Sequence, residues 1–289
     1  MIRYLLILVI IATTTLQCST QENLLPGNSD INFTLDEIGV LDKKLVEISG
    51  LLWMNGILYG INDGGNGDKF YTIDPSNGNT LNMIEVEGTK NIDWEGMAGE
   101  GENIFIGDFG NNNGKREDLK IYVLEKDHEE WKKERTIKFT YEDQQELGPP
   151  YFHNFDCEAM IIGESEITLF TKNYRNGGTH IYTLDKSSEE SIARRKQAID
   201  LQGIVTDGCI DPVTGDIVLI SYTRLITHYL TYLHTLSYNE GSYTLNNTYE
   251  LPIKGQLESI AHKNGASFYL ATEDSSFSKS LLYEITLNH

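Results

Sequence analysis

The sequence predicts an all-β fold: a five-bladed β-propeller closed by its N-terminal strand, with a six-bladed ring as the alternative. Three observations carry this. A short apolar run with one polar residue recurs five times: Ile48-Ser49-Gly50-Leu51, Trp94-Glu95-Gly96-Met97, Cys157-Glu158-Ala159-Met160, Thr206-Asp207-Gly208-Cys209 and Leu257-Glu258-Ser259-Ile260. The polar markers, at positions 49, 95, 158, 207 and 258, recur at propeller-blade spacing, with one long interval between the second and third. After each marker come a strongly apolar strand, a polar loop and a further strand.

In chain order, the second strands are expected at 57–61, 103–107, 167–171, 217–221 and 267–272. The third strands follow at 70–73, 120–124, 180–184, 232–236 and 281–285. Units one to four continue into an outer strand, for example 81–86, 136–141 and 244–251. The fifth has none, and the alternating stretch 31–40, which belongs to no unit, is expected to complete it and remove the open edges. Residues 127–135 carry the one helical pattern, and the charged stretch 127–150 reads as an insertion that lengthens the second interval.

Composition narrows the functions. The 289 residues are 39% hydrophobic, enough for a proper core, and 43 acidic against 23 basic side chains give a formal charge of -20. Such a surface repels nucleic acid and anionic membrane and favours cations. Sixteen Tyr, 10 Phe and 26 Gly against 6 Pro suit strands and turns rather than a helical bundle.

The first 18 residues read as a targeting segment, with Arg3 ahead of an apolar run from Tyr4 to Ala12 that is too short to span a bilayer comfortably. Thr15-Leu16-Gln17-Cys18 resembles the lipobox of bacterial lipoproteins, although Gln17 replaces the usual small residue. The resemblance implies lipidation of Cys18 and a place on the cell envelope, at the outer membrane or cell surface. An ordinary signal peptide and a periplasmic or secreted soluble protein are the alternative. Residues 19–30 read as a tether, and 31–289 as a single domain. Cys157 and Cys209 are too few for a disulfide scaffold and read as small buried residues, with a bridge between them as the alternative.

Each marker begins an innermost strand, so Ser49, Glu95, Glu158, Asp207 and Glu258 are expected to ring one end of a central channel. Carboxylates at one level repel unless a cation, protons or water compensate. Calcium accepts such oxygen sets, magnesium ranks second, and no Cys/His spacing suits zinc. The alternative is that some markers turn aside to bond backbone. Loops at the same mouth carry Asp63, Asp108, Lys172, Arg224 and Glu273 as candidate ligand-binding groups. Lys172 and Arg224 would clamp an anion, and Asp63 or Asp108 would orient a water. In Asp93-Trp94-Glu95 only Glu95 is expected in the channel, with Asp93 capping the turn. Nucleophile elbows, P-loops and dinucleotide fingerprints are not found.

These residues, with Gly107-Asp108-Phe109-Gly110-Asn111-Asn112, resemble uncharacterised propeller lipoproteins of Bacteroidetes-type bacteria over nearly the whole mature chain. More distantly the marker order is similar to the calcium-activated nucleotidases, or apyrases, and the repeat style to SdiA-regulated and phytase-like propellers. The nucleotidase resemblance implies calcium held by Ser49, Glu95, Glu158, a fourth-blade residue and Glu258, with Asp207 standing where that family has Ser. Its arginine-rich third-blade loop is only partly matched by Lys172 and Arg175. Two functions follow as expectations. One is a calcium-binding module with a binding or scaffold role for a small, possibly phosphorylated, or protein ligand. The other is a calcium-dependent phosphoester hydrolase.

Overall fold

The computed structural model describes residues 33–128, 130–275 and 278–288. Cys18 and the tether lie outside them, and among the described residues no helix is long and apolar enough to cross a membrane.

Among the described residues, twenty strands account for nearly all regular structure, in five antiparallel groups. The first is β2 (Ile48–Met54), β3 (Ile57–Asn62), β4 (Lys69–Ile73) and β5 (Thr80–Glu85). The second is β6 (Trp94–Glu100), β7 (Asn103–Asp108), β8 (Lys120–Asp127) and β9 (Glu130–Tyr141). The third is β10 (Cys157–Ile162), β11 (Glu166–Thr171), β12 (Thr179–Asp185) and β13 (Glu190–Ile199). The fourth is β14 (Ile204–Ile210), β15 (Ile217–Arg224), β16 (Tyr229–Asn239) and β17 (Ser242–Leu251). The last joins β18 (Gln256–Asn264), β19 (Ser267–Glu273) and β20 (Leu281–Leu287) to β1 (Phe33–Val40), which pairs antiparallel with β20 as expected. The groups are separate sheets except the second and third, whose outer strands β9 and β13 pair in parallel to make one eight-stranded sheet.

Residues 127–135 correct the helical expectation. Asp127 ends β8 and residues 130–135 begin β9, with Asp127 opposite Glu130 and His128 at φ +58°. Trp131 explains the choice. Its ring packs edge-on against Tyr59 and Phe70 of the first group, which a hairpin arm can reach and a short exposed helix would leave in water.

Five hydrophobic clusters lie between consecutive groups. Tyr59 and Ile61 meet Trp94 and Ile106 between the first and second, and Tyr269 and Leu282 meet Leu51 and Tyr71 between the last and the first. Each burial of a side chain of this size contributes about 1.5–3 kcal/mol, so every group is held by both neighbours. The innermost strands β2, β6, β10, β14 and β18 touch in the same cyclic order. The architecture is therefore all-β and propeller-like.

Candidate functional site

Every innermost strand carries a β-bulge at its start. Pairing skips Ser49 between Ile48 and Gly50, Glu95 between Trp94 and Gly96, and Glu158 between Cys157 and Ala159. It skips Thr206 between Val205 and Asp207, and Glu258 between Leu257 and Ser259. A bulge re-aims one side chain out of the pleat. The fourth equivalent position is thus Thr206, one residue before Asp207.

The two hydroxyl residues behave alike. Ser49 Oγ donates to the Trp94 carbonyl at 2.7 Å, and Thr206 Oγ1 donates to the Leu257 carbonyl at 2.7 Å. Each ties its inner strand to the next. Asp207 is buried with both oxygens engaged, Oδ1 accepting from Gly208 N at 2.7 Å and Oδ2 from Ile260 N at 2.9 Å. Its carboxylate therefore braces β14 against β18.

The three glutamates meet other acids beside the starts of the inner strands. Asp63, Asp93 and Glu95 bring oxygens within 4.8 Å of one another. Asp63 follows β3, where its amide donates to the Glu47 carbonyl at 2.9 Å, and Asp93 precedes β6, its amide donating to Asp108 Oδ1 at 3.0 Å. Gly110 makes room for them: a Cβ there would lie 2.6 Å from the Asp93 carboxylate carbon and 2.7 Å from Glu95 Cγ. Asp93, read from the sequence as a cap, thus sits in the cluster.

Burial, with Asp63 beside it, pushes the Asp93 carboxyl up to about 8. Burial, with Glu158, Asp63 and Asp93 close by, raises Glu95 well above the carboxylate range. Glu158 is raised by burial too, while Lys172 pulls it down. Burial and Glu258 raise Glu273 to about 8, and Gln256 Nε2 bridges the two, donating to Glu258 Oε1 at 2.5 Å and Glu273 Oε2 at 2.7 Å.

One cation enters this acidic well from within. Lys172 is buried, and its ammonium donates to Glu158 Oε2 at 3.2 Å, 5.9 Å and 5.8 Å from the ring centres of Tyr174 and Tyr222. Burial alone would lower its pKa, but Glu158, Tyr222 and Glu258 hold it well above the usual lysine value. Arg224 is exposed at the end of β15, opposite Tyr229 in β16. Asp108 is fully buried and paired, with Arg116 at 3.0 Å and Lys120 at 3.5 Å. Hence Asp63, Glu95, Glu158, Glu258, Glu273 and Lys172 share the well, whereas Asp108 and Asp207 serve as braces.

Glu158 Oε1 and Asp156 Oδ2 are buried and receive no N–H or hydroxyl donor among the described residues, and a proton shared between these two neighbouring carboxyls is the alternative to a cation. Asp156 Oδ1 accepts from the Asn111 amide, which pins the second-group loop to the start of β10. Orphaned acceptors at full burial are rare and call for a donor or a cation. Sequence reasoning passed over Asp156, although its place one residue before a repeat unit matches that of Asp93. Cys157 and Cys209 are free thiols.

No protein-family model and no curated protein matches the chain. Solved structures do. A glucose dehydrogenase superposes with a TM-score of 0.52 at 7% identity, covering 87% of this chain and 98% of its own. A glucose-dehydrogenase-type oxidoreductase of Thermus thermophilus gives 0.50 at 8% identity, covering 88% and 100%. A gluconolactonase of Xanthomonas campestris gives 0.49 at 11% identity, covering 84% and 73%. At these identities the likeness is one of fold, and it places the chain among β-propeller structures.

Proposed function

We propose that the chain is a five-bladed propeller that binds calcium at its acidic mouth and serves as a binding or scaffold module on the cell envelope, lipid-anchored through Cys18. Each four-stranded group is read as one blade, in support of which the inter-group cores run in cyclic order. The observation that carries the calcium reading is the convergence of Asp63, Asp93 and Glu95, with the buried Glu158 close enough to raise Glu95 further. Calcium takes six to eight oxygens in adaptable geometry, and Asp63, Asp93 and Glu95 would supply the protein's share, with Glu158 and Glu258 outside that 4.8 Å group and adding negative charge beside it. Ser49 and Asp207, whose oxygens already bond backbone, act in this reading by holding the blades together. With Thr206 at the fourth bulge, the order Ser49, Glu95, Glu158, Thr206, Glu258 follows the hydroxyl and carboxylate pattern of the nucleotidase-like propellers.

Phosphoester hydrolysis ranks behind binding. Lys172 is committed to Glu158 and Arg224 stands exposed at a strand end, so the anion clamp expected of them lacks its cations. A phosphoryl transition state needs such charge.

The test is thermal melting with calcium and with chelator, alongside direct calcium binding by calorimetry. Calcium should raise the melting temperature of the native chain and leave a Glu95→Gln, Asp93→Asn variant unmoved. An unchanged melting curve and no heat of binding would remove the ion from the reading. Phosphate release from nucleoside diphosphates with calcium present would promote the hydrolase instead.

A further inference from the structure

The mouth is two-sided. Asp63, Asp93, Glu95, Glu258 and Glu273 supply its acidic part, and the flank beyond Lys172 is aromatic. Tyr174 sits at the junction, its hydroxyl donating to Asn112 Oδ1 at 2.5 Å, with Tyr151 packed edge-on at 5.4 Å between ring centres and an 89° interplanar angle. Tyr222 meets Tyr229 at 5.1 Å behind it. Within this flank Tyr151 and Phe152 are held out to solvent, 61% and 58% exposed.

Their exposure is built in. Tyr151 adopts φ +52°, a left-handed conformation that a bulky residue takes only when its surroundings impose it. The constraint is visible. Tyr151 N donates to the Asn112 carbonyl at 3.0 Å, Gly148 N donates to the Gly114 carbonyl at 2.9 Å, and Arg175 lies over the Phe152 ring at 5.5 Å. The loop before β10 is thus fastened to the second-group loop so that two rings face water beside the well.

We propose that this mouth binds a saccharide, with vicinal hydroxyls on the bound ion and an apolar sugar face on Tyr151 and Phe152. The proposal rests on the calcium reading above. Calcium in a carboxylate cluster keeps coordination positions for neutral oxygens. Rigid rings, Tyr151 with a polar edge and Phe152 without one, supply contact area at little entropic cost, which suits a ligand that is apolar on one face and hydroxylated at its rim. The ion and Lys172 offset the carboxylates, so a neutral polyol meets no net repulsion there. An organic ammonium would also suit rings and carboxylates, but it would occupy the place of the ion and compete with it.

The test is a printed glycan array probed with the labelled full-length chain, with calcium and with chelator, followed by calorimetry on the strongest glycan. Retention that requires calcium is expected. Tyr151→Ala and Phe152→Ala should each weaken it by roughly tenfold or more while leaving the calcium-induced rise in melting temperature intact. Both side chains are exposed, so the variants should fold. Absence of glycan retention while calcium still stabilises the chain overturns the saccharide and spares the ion. Retention that survives chelation, or that both variants keep, overturns the ion-bridged geometry. Binding of tetramethylammonium that calcium abolishes assigns the mouth to ammonium ligands instead. No stabilisation by calcium is the separate failure of the underlying reading.

Discussion

Lys172 Nζ lies 3.2 Å from Glu158 Oε2, with both side chains buried. The pair joins the end of β11 to the bulge of β10, neighbours in one sheet, and it is the internal counter-charge of the acidic well. Breaking a buried pair strands a charge, whereas removing both members need cost little. Lys172→Met should therefore lower stability by about 3–5 kcal/mol in urea unfolding. The double variant Lys172→Met, Glu158→Gln should be the more stable of the two, and a double variant that loses the sum of both singles would contradict the pairing.

Gly110 offers a way to disturb the well without touching a carboxylate. Gly110→Ala drives a methyl group into the Asp93 carboxylate and the Glu95 stem, which must shift to admit it. The chelated protein should keep its fold, but calcium affinity should fall by roughly tenfold or more. Calorimetric titration reads the affinity, and an unchanged value would show that these two carboxylates do not hold the ion.

The fourth group contains a buried histidine that reports on acid. His234 lies between Ser221 and Thr248, with Nε2 2.8 Å from Ser221 Oγ and Nδ1 2.9 Å from Thr248 Oγ1. Ser221 Oγ donates to the Gln202 carbonyl at 2.6 Å, so it accepts from the imidazole. Burial lowers the His234 pKa to about 4. In the unfolded chain the value is about 6.5, so between these pH values the unfolded state holds the extra proton. The contribution to stability is complete above about pH 6.5 and is lost as pH falls toward 4, reaching roughly 2 kcal/mol at pH 5. Urea unfolding of the native chain and His234→Gln at both ends of this window should show a smaller acid loss in the variant. Parallel curves would refute it.

Thr206 and Asp207 divide the labour that the sequence suggested for one of them. Asp207→Leu leaves the Gly208 and Ile260 amides without acceptors, a loss of about 2–3 kcal/mol. Thr206→Val removes one donor and should cost about 1 kcal/mol. Calcium binding should survive Thr206→Val, and its loss there would place that hydroxyl among the ligands.

That pair also shows where sequence reading stops. The apolar run with a polar marker was visible in all five copies, because it encodes both the inner strand and its first turn. Which of two adjacent polar residues sits in the bulge was not, since a bulge breaks the alternation that tells one face of a strand from the other. Asp93 escaped for the same reason, as strand parity says nothing about a residue just before the strand. Lys172 was legible as a cation at the mouth, but its inward turn depends on Glu158, 14 residues earlier and adjacent only after β10 and β11 pair. The hairpin arm around Trp131 read as helical from the sequence and is extended because of a partner ring from another group.

β1 and β20 complete the fifth group although Phe33 and its partner Leu287 stand at opposite extremes of the described chain. A ribosome delivers the first of these strands long before the second. Until then its edge stays unpaired, and the clusters that need Leu35, Tyr283 and Ile285 cannot close. Synthesis can complete the internal groups one by one, yet the ring can shut only as a late, long-range event. Damage to this seam should therefore slow maturation more than it weakens any single sheet.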